Sequence, residues 1–254
     1  MSSVWEDPQA TLVKAELFIR HAATSGADII CFPEQFATGW DPVSHHNVED
    51  RQGRIVTTLM QFAQESDICI IGSFRERFEP YPKNTAIIIG SDGRILADYA
   101  KVHLFSPARE NISYTPGSNL GIFRLGPVSC GIAICYDLRF PDLFHIYARK
   151  GVQVVFVPAA WPASRMHLWE LFLSARAAEN QMYVVGVNTT GTTPVDTYAG
   201  ASMVADPHGT IISRANETEQ LTFVDLDPVL VDATRSSFPV GKDRRDTLYR
   251  DLSQ

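Results

Sequence analysis

Residues 128–144 read VSCGIAICYDLRFPDLF, and the change of character half-way along decides how the chain is read. Apolar residues dominate from 128 to 134 and end at Cys135. Tyr136, Asp137 and Arg139 follow at once, and Pro141 stands where a helix would begin, a position at which a missing N–H does no harm. The pattern predicts a buried strand, a tight turn carrying the Cys135 thiol at the strand's carboxyl end, and a helix behind it. Such a turn lifts a side chain above the sheet and aims the next backbone N–H groups at whatever it attacks. A free cysteine is equally at home as a small buried hydrophobe. This stretch alone leaves both roles open.

Outward from that stretch the chain repeats one plan. Asp7-Pro8 signals a helix start, Leu12, Ala15, Phe18, Ile19 and Ala22 follow at helical spacing, and Gly26 ends it. DIICF, 28–32, predicts a strand buried on both faces, stopping at Pro33-Glu34. A helix over 55–64 and a strand over 68–73 repeat the unit. Strands over 84–89 and 94–99 flank the turn Ser91-Asp92-Gly93, and Lys101 ends the second. Residues 104–117 read as loop. Beyond 121–125 and 128–134 come a helix 141–150 capped by Gly151, a strand 152–157 closing at Pro158, a helix 166–180 and a strand 182–188. Pro207-His208-Gly209 joins strands 199–206 and 210–214; 220–226 is expected to be the last strand, and 240–254 a polar, extended tail. No linker or low-complexity stretch interrupts this, so 1–254 is expected to be a single α/β domain with a large sheet system and helices outside. Periodicity leaves sandwich and doubly wound arrangements open.

Composition narrows the class. The chain has 254 residues, 45% hydrophobic and 20% charged, the balance of an ordinary globular protein able to bury a substantial core. Lys and Arg number 22 against 29 Asp and Glu, giving −7 without a basic block, so nothing recommends a nucleic acid or an anionic membrane as partner. No apolar run reaches the roughly 18 residues of a membrane span. The N-terminus MSSVWEDPQ lacks the basic and apolar regions of a signal peptide, which makes a cytoplasmic protein the expectation. Cys31, Cys69, Cys130 and Cys135 form no CxxC pair, so neither a disulfide framework nor a metal site is expected. His45 and His46 read as a solvated loop.

Three reactive side chains share one station. Glu34 follows DIICFP, Lys101 follows ILADYA and Cys135 follows SCGIAI, each at a strand's carboxyl end, where functional groups of α/β sheets gather. Delivered to one rim they make a nucleophilic site. Cys135 works only as thiolate, and a reference pKa near ~8.5 leaves a minority ionised at neutral pH. Glu34 suits the role of base, and Lys101 with the Tyr136 N–H suits a developing oxyanion. Taken singly, Glu34 is as well explained as a helix cap and Lys101 as a solvated lysine.

At these residues the chain resembles the nitrilase (carbon–nitrogen hydrolase) superfamily. The matching segments are FPEQFATGW around Glu34, YAKVHLF around Lys101 and GIAICYDLRFP around Cys135, with NTAIIIGSDGRI, SARAAENQMYVVGVN and RRDTLY in support. The resemblance implies an αββα sandwich that pairs into an αββααββα dimer, and a Glu–Lys–Cys triad carried by Glu34, Lys101 and Cys135. It also places a second acidic residue at Glu110. CYDLRFP together with AAWPASRMHLWELFLSARAAENQ is most similar to the omega-amidase branch, whose members hydrolyse the terminal amide of small dicarboxylic monoamides. Nitrilases more often carry Cys-Trp-Glu at the nucleophile, whereas Tyr136-Asp137 follows here, which favours an amide over a nitrile. The expectation is therefore a small-molecule amidase with no cofactor or metal, working through a thioester on Cys135. Arg139, Arg165 and Tyr136 are candidates to meet a substrate carboxylate, and Phe36 and Trp161 to wall the pocket. N-carbamoyl or nitrile hydrolysis, acyl transfer, and a non-catalytic scaffold of the same fold stand as the rivals. One departure is notable: relatives open with an apolar strand before the segment matched by Trp5-Glu6-Asp7, where this chain has MSSV. A sheet short of that strand would expose an edge beside the core.

Overall fold

The computed structural model describes residues 1–252. Its first helix, α1 (Pro8–Thr24), starts as the sequence dictates: the Asp7 carboxylate accepts the Ala10 N–H at 3.0 Å, and Pro8 occupies the first turn. Strand β1 (Ile29–Cys31) follows, then α2 (Arg54–Ser66), β2 (Cys69–Glu76), β3 (Lys83–Ile89), β4 (Ile95–Ala100) and the single-turn α3 (Glu110–Ser113). The second half holds β5 (Gly121–Leu125), β6 (Val128–Ile132), α4 (Pro141–Arg149), β7 (Val154–Ala159), α5 (Met166–Asn180) and β8 (Tyr183–Asn188). A two-stranded ribbon, β9 (Thr190–Thr192) and β10 (Thr197–Ala199), precedes β11 (Met203–Ala205), β12 (Ile211–Arg214), α6 (Pro228–Ser237), α7 (Val240–Asp243) and α8 (Asp246–Leu252).

Alternation along the strands explains the layering. In β2, Cys69 and Ile71 face one way and Ile70 and Phe74 the other, and all four are buried. Ile70, Ile87 and Ile89 pack on Leu12, Ala15, Ile19 and Leu59 of α1 and α2, whereas Cys69, Ile71, Ile88 and Tyr99 join Phe123, Cys130, Ile132 and Phe156 in a core between two sheets. The first sheet runs β1-β2-β3-β4, with β1 and β2 parallel and the rest antiparallel; the second runs β12-β11-β8-β7-β6-β5, parallel across β6, β7 and β8. Phe144 and Tyr147 of α4 and Trp169 and Leu173 of α5 belong to the same buried cluster and cover the second sheet. Helix, sheet, sheet, helix is the expected αββα sandwich.

Several boundaries differ from expectation for local reasons. β7 continues through Pro158, because β6 has already left the sheet at Ile132 and only β8 pairs beyond it. Segment 220–226 is not a strand; it runs without a β partner along an apolar groove of ≈ 590 Å³ whose other bank is residues 28–33, at the outer strand β1. The tail is helical rather than extended: Asp246 accepts from Arg149 and Arg244 and so anchors the start of α8. Ser253 and Gln254, the end of that expected tail, lie outside the described residues. His45 is exposed, as a loop histidine should be, but it docks on the Ser113 carbonyl at 2.9 Å.

Candidate active site

Each predicted residue reaches the site through a specific backbone device. After β1 the chain bends at Pro33-Glu34-Gln35, with Gln35 at φ +46° and its N–H donating to Ser73 Oγ at 2.6 Å. That bend buries the Glu34 carboxylate beneath the end of the neighbouring sheet: Oε2 accepts the Ala160 N–H at 3.1 Å, and Oε1 accepts from Lys101 Nζ at 2.8 Å and Asn84 Nδ2 at 2.7 Å. Lys101 stands just past β4, pinned on both sides of its backbone. Its N–H donates to Asn84 O and its carbonyl accepts from Gly117, each at 2.8 Å. Gly117 is there for space: a Cβ on it would lie 2.0 Å from the Ala100 carbonyl oxygen. Glu110 opens α3, and its Oε2 accepts from Lys101 Nζ at 2.9 Å and from the Phe105 N–H at 2.7 Å.

Cys135 begins a 3-10 turn, Cys135–Arg139, at φ +45°, a left-handed conformation unusual for a residue with a Cβ. Asp137, fully buried, holds that turn. Its Oδ2 accepts the Ile134 N–H at 2.9 Å and the Tyr99 hydroxyl at 2.7 Å, while Oδ1 accepts from the His103 N–H and ring Nδ1 at 2.8 Å each. The Cys135 turn is thereby laced to the strand that leads to Lys101. The Cys135 sulfur meets the Glu34 carboxylate and the Ala160 N–H. Glu34, Lys101, Glu110 and Cys135, dispersed over a hundred residues of sequence, form one cluster.

The charges in this cluster decide its resting state. Burial pushes the Cys135 thiol well above its ordinary range, and the Glu34 charge pushes it further. Burial also raises Glu34, against the pull of Lys101. Burial alone would lower the Lys101 ammonium, but Glu110 and Glu34 outweigh it and hold it well above normal. With two carboxylates and one ammonium the buried cluster carries −1. A thiolate would add a further negative charge to this buried site, so the protonated thiol is the resting form.

Above the sulfur lies a narrow pocket, with ≈ 20 Å³ free, about one water, bounded by Trp40, Phe105, Tyr136, Arg139, Trp161 and Arg165. The Arg139 guanidinium sits 5.3 Å over Trp161 and 5.1 Å over Phe172, and Arg165 sits 5.3 Å over Phe105. Among the described residues neither makes an ion pair with a carboxylate. The much larger groove beside β1 holds none of Glu34, Lys101 or Cys135.

Phe36 is the one expected pocket residue that lies elsewhere. It is 1% exposed and stacks on Phe32, centroids 4.8 Å apart, in the core beneath α1 and α2. The left-handed Gln35 turns the chain over, so the wall is Trp40, four residues on in the same FATGW motif. Asn84, Asp137 and Ala160 were also missed. Asn84 had a signal, a polar residue heading the apolar run of NTAIIIG. Ala160 acts through its backbone N–H and carries none. No three His, Cys, Asp or Glu side chains among the described residues group so as to hold a metal.

A buried thiol, carboxylate and ammonium meeting at strand ends of an αββα sandwich mark a cysteine hydrolase class of site. The chain belongs to the carbon–nitrogen hydrolase family, whose model matches residues 1–236. It is 34% identical to a 2-oxoglutaramate amidase from Bacillus subtilis over 95% of this chain and 94% of that one, and 32% identical to the omega-amidase NIT2 of Homo sapiens over 98% and 93%. Among solved structures, an amidase from Nesterenkonia sp. superposes with a TM-score of 0.88 at 26% identity, covering 99% of this chain and 93% of that one. A glutamate-to-glutamine mutant of the amidase from Nesterenkonia sp. AN1, also 26% identical with a TM-score of 0.87, shows Michael addition of acrylamide at its active-site cysteine. The family and sandwich expected from the motifs are borne out.

Proposed function

We propose that the protein hydrolyses the terminal amide of a small dicarboxylic monoamide, of the 2-oxoglutaramate kind, through a thioester on Cys135. The observation that carries this reading is the pair of guanidiniums, Arg139 and Arg165, that line the pocket and, among the described residues, have no carboxylate partner. A substrate with a neutral amide at one end and a carboxylate at the other supplies what each end of the pocket lacks. The activities named for the relatives agree with it.

In the first half-reaction the Cys135 sulfur bonds to the amide carbon as its proton passes to Glu34, so the cluster's charge does not grow. The carbonyl oxygen becomes an oxyanion held by Lys101 and the Tyr136 N–H, each donor contributing about 3–4 kcal/mol. Collapse breaks the C–N bond, Glu34 returns the proton to the leaving nitrogen, and ammonia departs. In the second half Glu34 takes a proton from water, whose oxygen bonds to the thioester carbon. The C–S bond breaks, Glu34 returns its proton to the departing sulfur, and the acid leaves as its carboxylate with one proton released to solvent. Glu110 keeps Lys101 charged and aimed. We further propose that 1–254 works as a single domain, pairs as a homodimer and resides in the cytoplasm; an N-carbamoyl or nitrile substrate is the alternative that the Tyr136-Asp137 surround disfavours.

The test is ammonia release from matched amides with and without a distal carboxylate, with intact-mass detection of the acyl group on Cys135. Carboxylate-bearing amides should be preferred by at least ~10-fold in kcat/KM, and Arg139→Gln should erase most of that preference. Equal turnover of neutral amides, or ureides and nitriles outpacing amides, sinks the substrate assignment.

A further inference from the structure

Asn84, the second residue of β3, is fully buried, and its side chain does something the candidate residues do not do for themselves. One Nδ2 hydrogen goes to Glu34 Oε1 at 2.7 Å and the other to Glu110 Oε1 at 3.2 Å. Its Oδ1, also buried, accepts from nothing. The reverse orientation would set Oδ1 against two carboxylates and leave the NH₂ unpaired, so the amide's direction is fixed by its neighbours. Stranding a buried acceptor is destabilising. A fold keeps such an orphan where the two donors opposite it matter more.

Two carboxylates must share one ammonium here, and a shared site of that kind tends to trap a proton on one of them. Lys101 after β4, Glu110 from α3, Cys135 in its turn and, through space, Tyr198 on β10 all act on Glu34. The Ala160 N–H also donates to Glu34 and the Phe105 N–H to Glu110, but Asn84 is a neutral side-chain donor that touches both acids. We infer that Asn84 is a positioning residue that holds Glu34 and Glu110 apart around Lys101 and keeps Glu34 ionised, ready to accept the thiol proton. This rests on the proposed role of Glu34 as base.

The experiment is the pH dependence of kcat/KM for ammonia release by Asn84→Ala, with Asn84→Ser as a second variant that keeps more of the volume and a hydroxyl, and Glu34→Gln alongside. Losing a hydrogen bond to a charged group should move the acid limb to higher pH by about 1 to 2 units. The plateau kcat should stay within about tenfold of wild type. An acid limb that stays in place in either folded variant, whatever happens to kcat, reduces Asn84 to a structural part and overturns the inference. Glu34→Gln with undiminished turnover would instead remove the base role, and Asn84's with it.

Discussion

Gly117→Ala tests the placement of Lys101 without touching any reacting group. The new Cβ would lie 2.0 Å from the Ala100 carbonyl oxygen, 2.8 Å from its carbon and 3.0 Å from its Cβ. Restoring ordinary contact requires the strand end or the 115–117 segment to retreat by about 1.4 Å. That carbonyl is bonded directly to Lys101, whose Nζ contacts at 2.8 and 2.9 Å to Glu34 and Glu110 have little slack. A misplacement near 1 Å at a positioning group costs on the order of 10²-fold in rate. Overpacking of this sort also costs about 1–3 kcal/mol, or roughly 2–10 °C in Tm for a chain of this size. The assay is initial-rate ammonia release together with a thermal melt. Gly26→Ala serves as control: its φ of +81° penalises a Cβ, but nothing lies within 4 Å of it, so stability should drop while turnover holds. Gly117→Ala with kcat/KM within threefold of wild type would refute the idea that this close approach sets the lysine.

Glu34→Gln should separate reactivity from catalysis. Turnover should fall by about 10²–10⁴-fold with the base gone, while iodoacetamide alkylates Cys135 faster at neutral pH, because burial then acts without the added repulsion of a neighbouring charge. Parallel loss of both would mean that Glu34 activates the thiol rather than shuttling its proton. Cys135→Ala should be inactive, and Cys135→Gly equally inactive yet about 1 kcal/mol more stable than the alanine variant, since glycine adopts φ +45° freely; differential melting curves decide it. Burial lifts Cys69 from 9.0 to about 12, so the fold binds that proton more tightly than the unfolded chain does. Its stabilising share is complete below pH 9 and fades as pH rises toward 12. Cys69→Val should therefore shallow the loss of stability in urea titrations over that window by up to about 1.4 kcal/mol per pH unit.

The site was more legible than its surroundings, and for a physical reason. Glu34 and Cys135 each end an apolar run and Lys101 ends the second strand of a hairpin, so the strand pattern placed all three at one rim. Local patterns likewise announced Asp7-Pro8, the Gly93 and Gly209 turns and the Gly151 cap. What escaped depended on neighbours distant in sequence. Residues 220–226 read as a strand, but the groove separates them from the outer strand β1 and they do not pair with it. The tail forms helices because Arg149 and Arg244 meet Asp246. Phe36 and Trp40 are interchangeable as pocket aromatics until the left-handed backbone at Gln35 decides which one turns inward.

The dispersion of the reacting groups has a consequence for biogenesis. Glu34 and Lys101 come from one sheet, Cys135 and the Ala160 amide from the other, and Glu110 from a one-turn helix outside both. The Cys135 thiol does not meet Glu34 and Lys101 until the sandwich closes. A nascent chain emerging from the ribosome therefore carries no primed thiol, and during refolding the first ammonia should be released only as the slowest, longest-range contacts are made. Enzymatic activity is, for this molecule, a clock that starts at the final step of assembly.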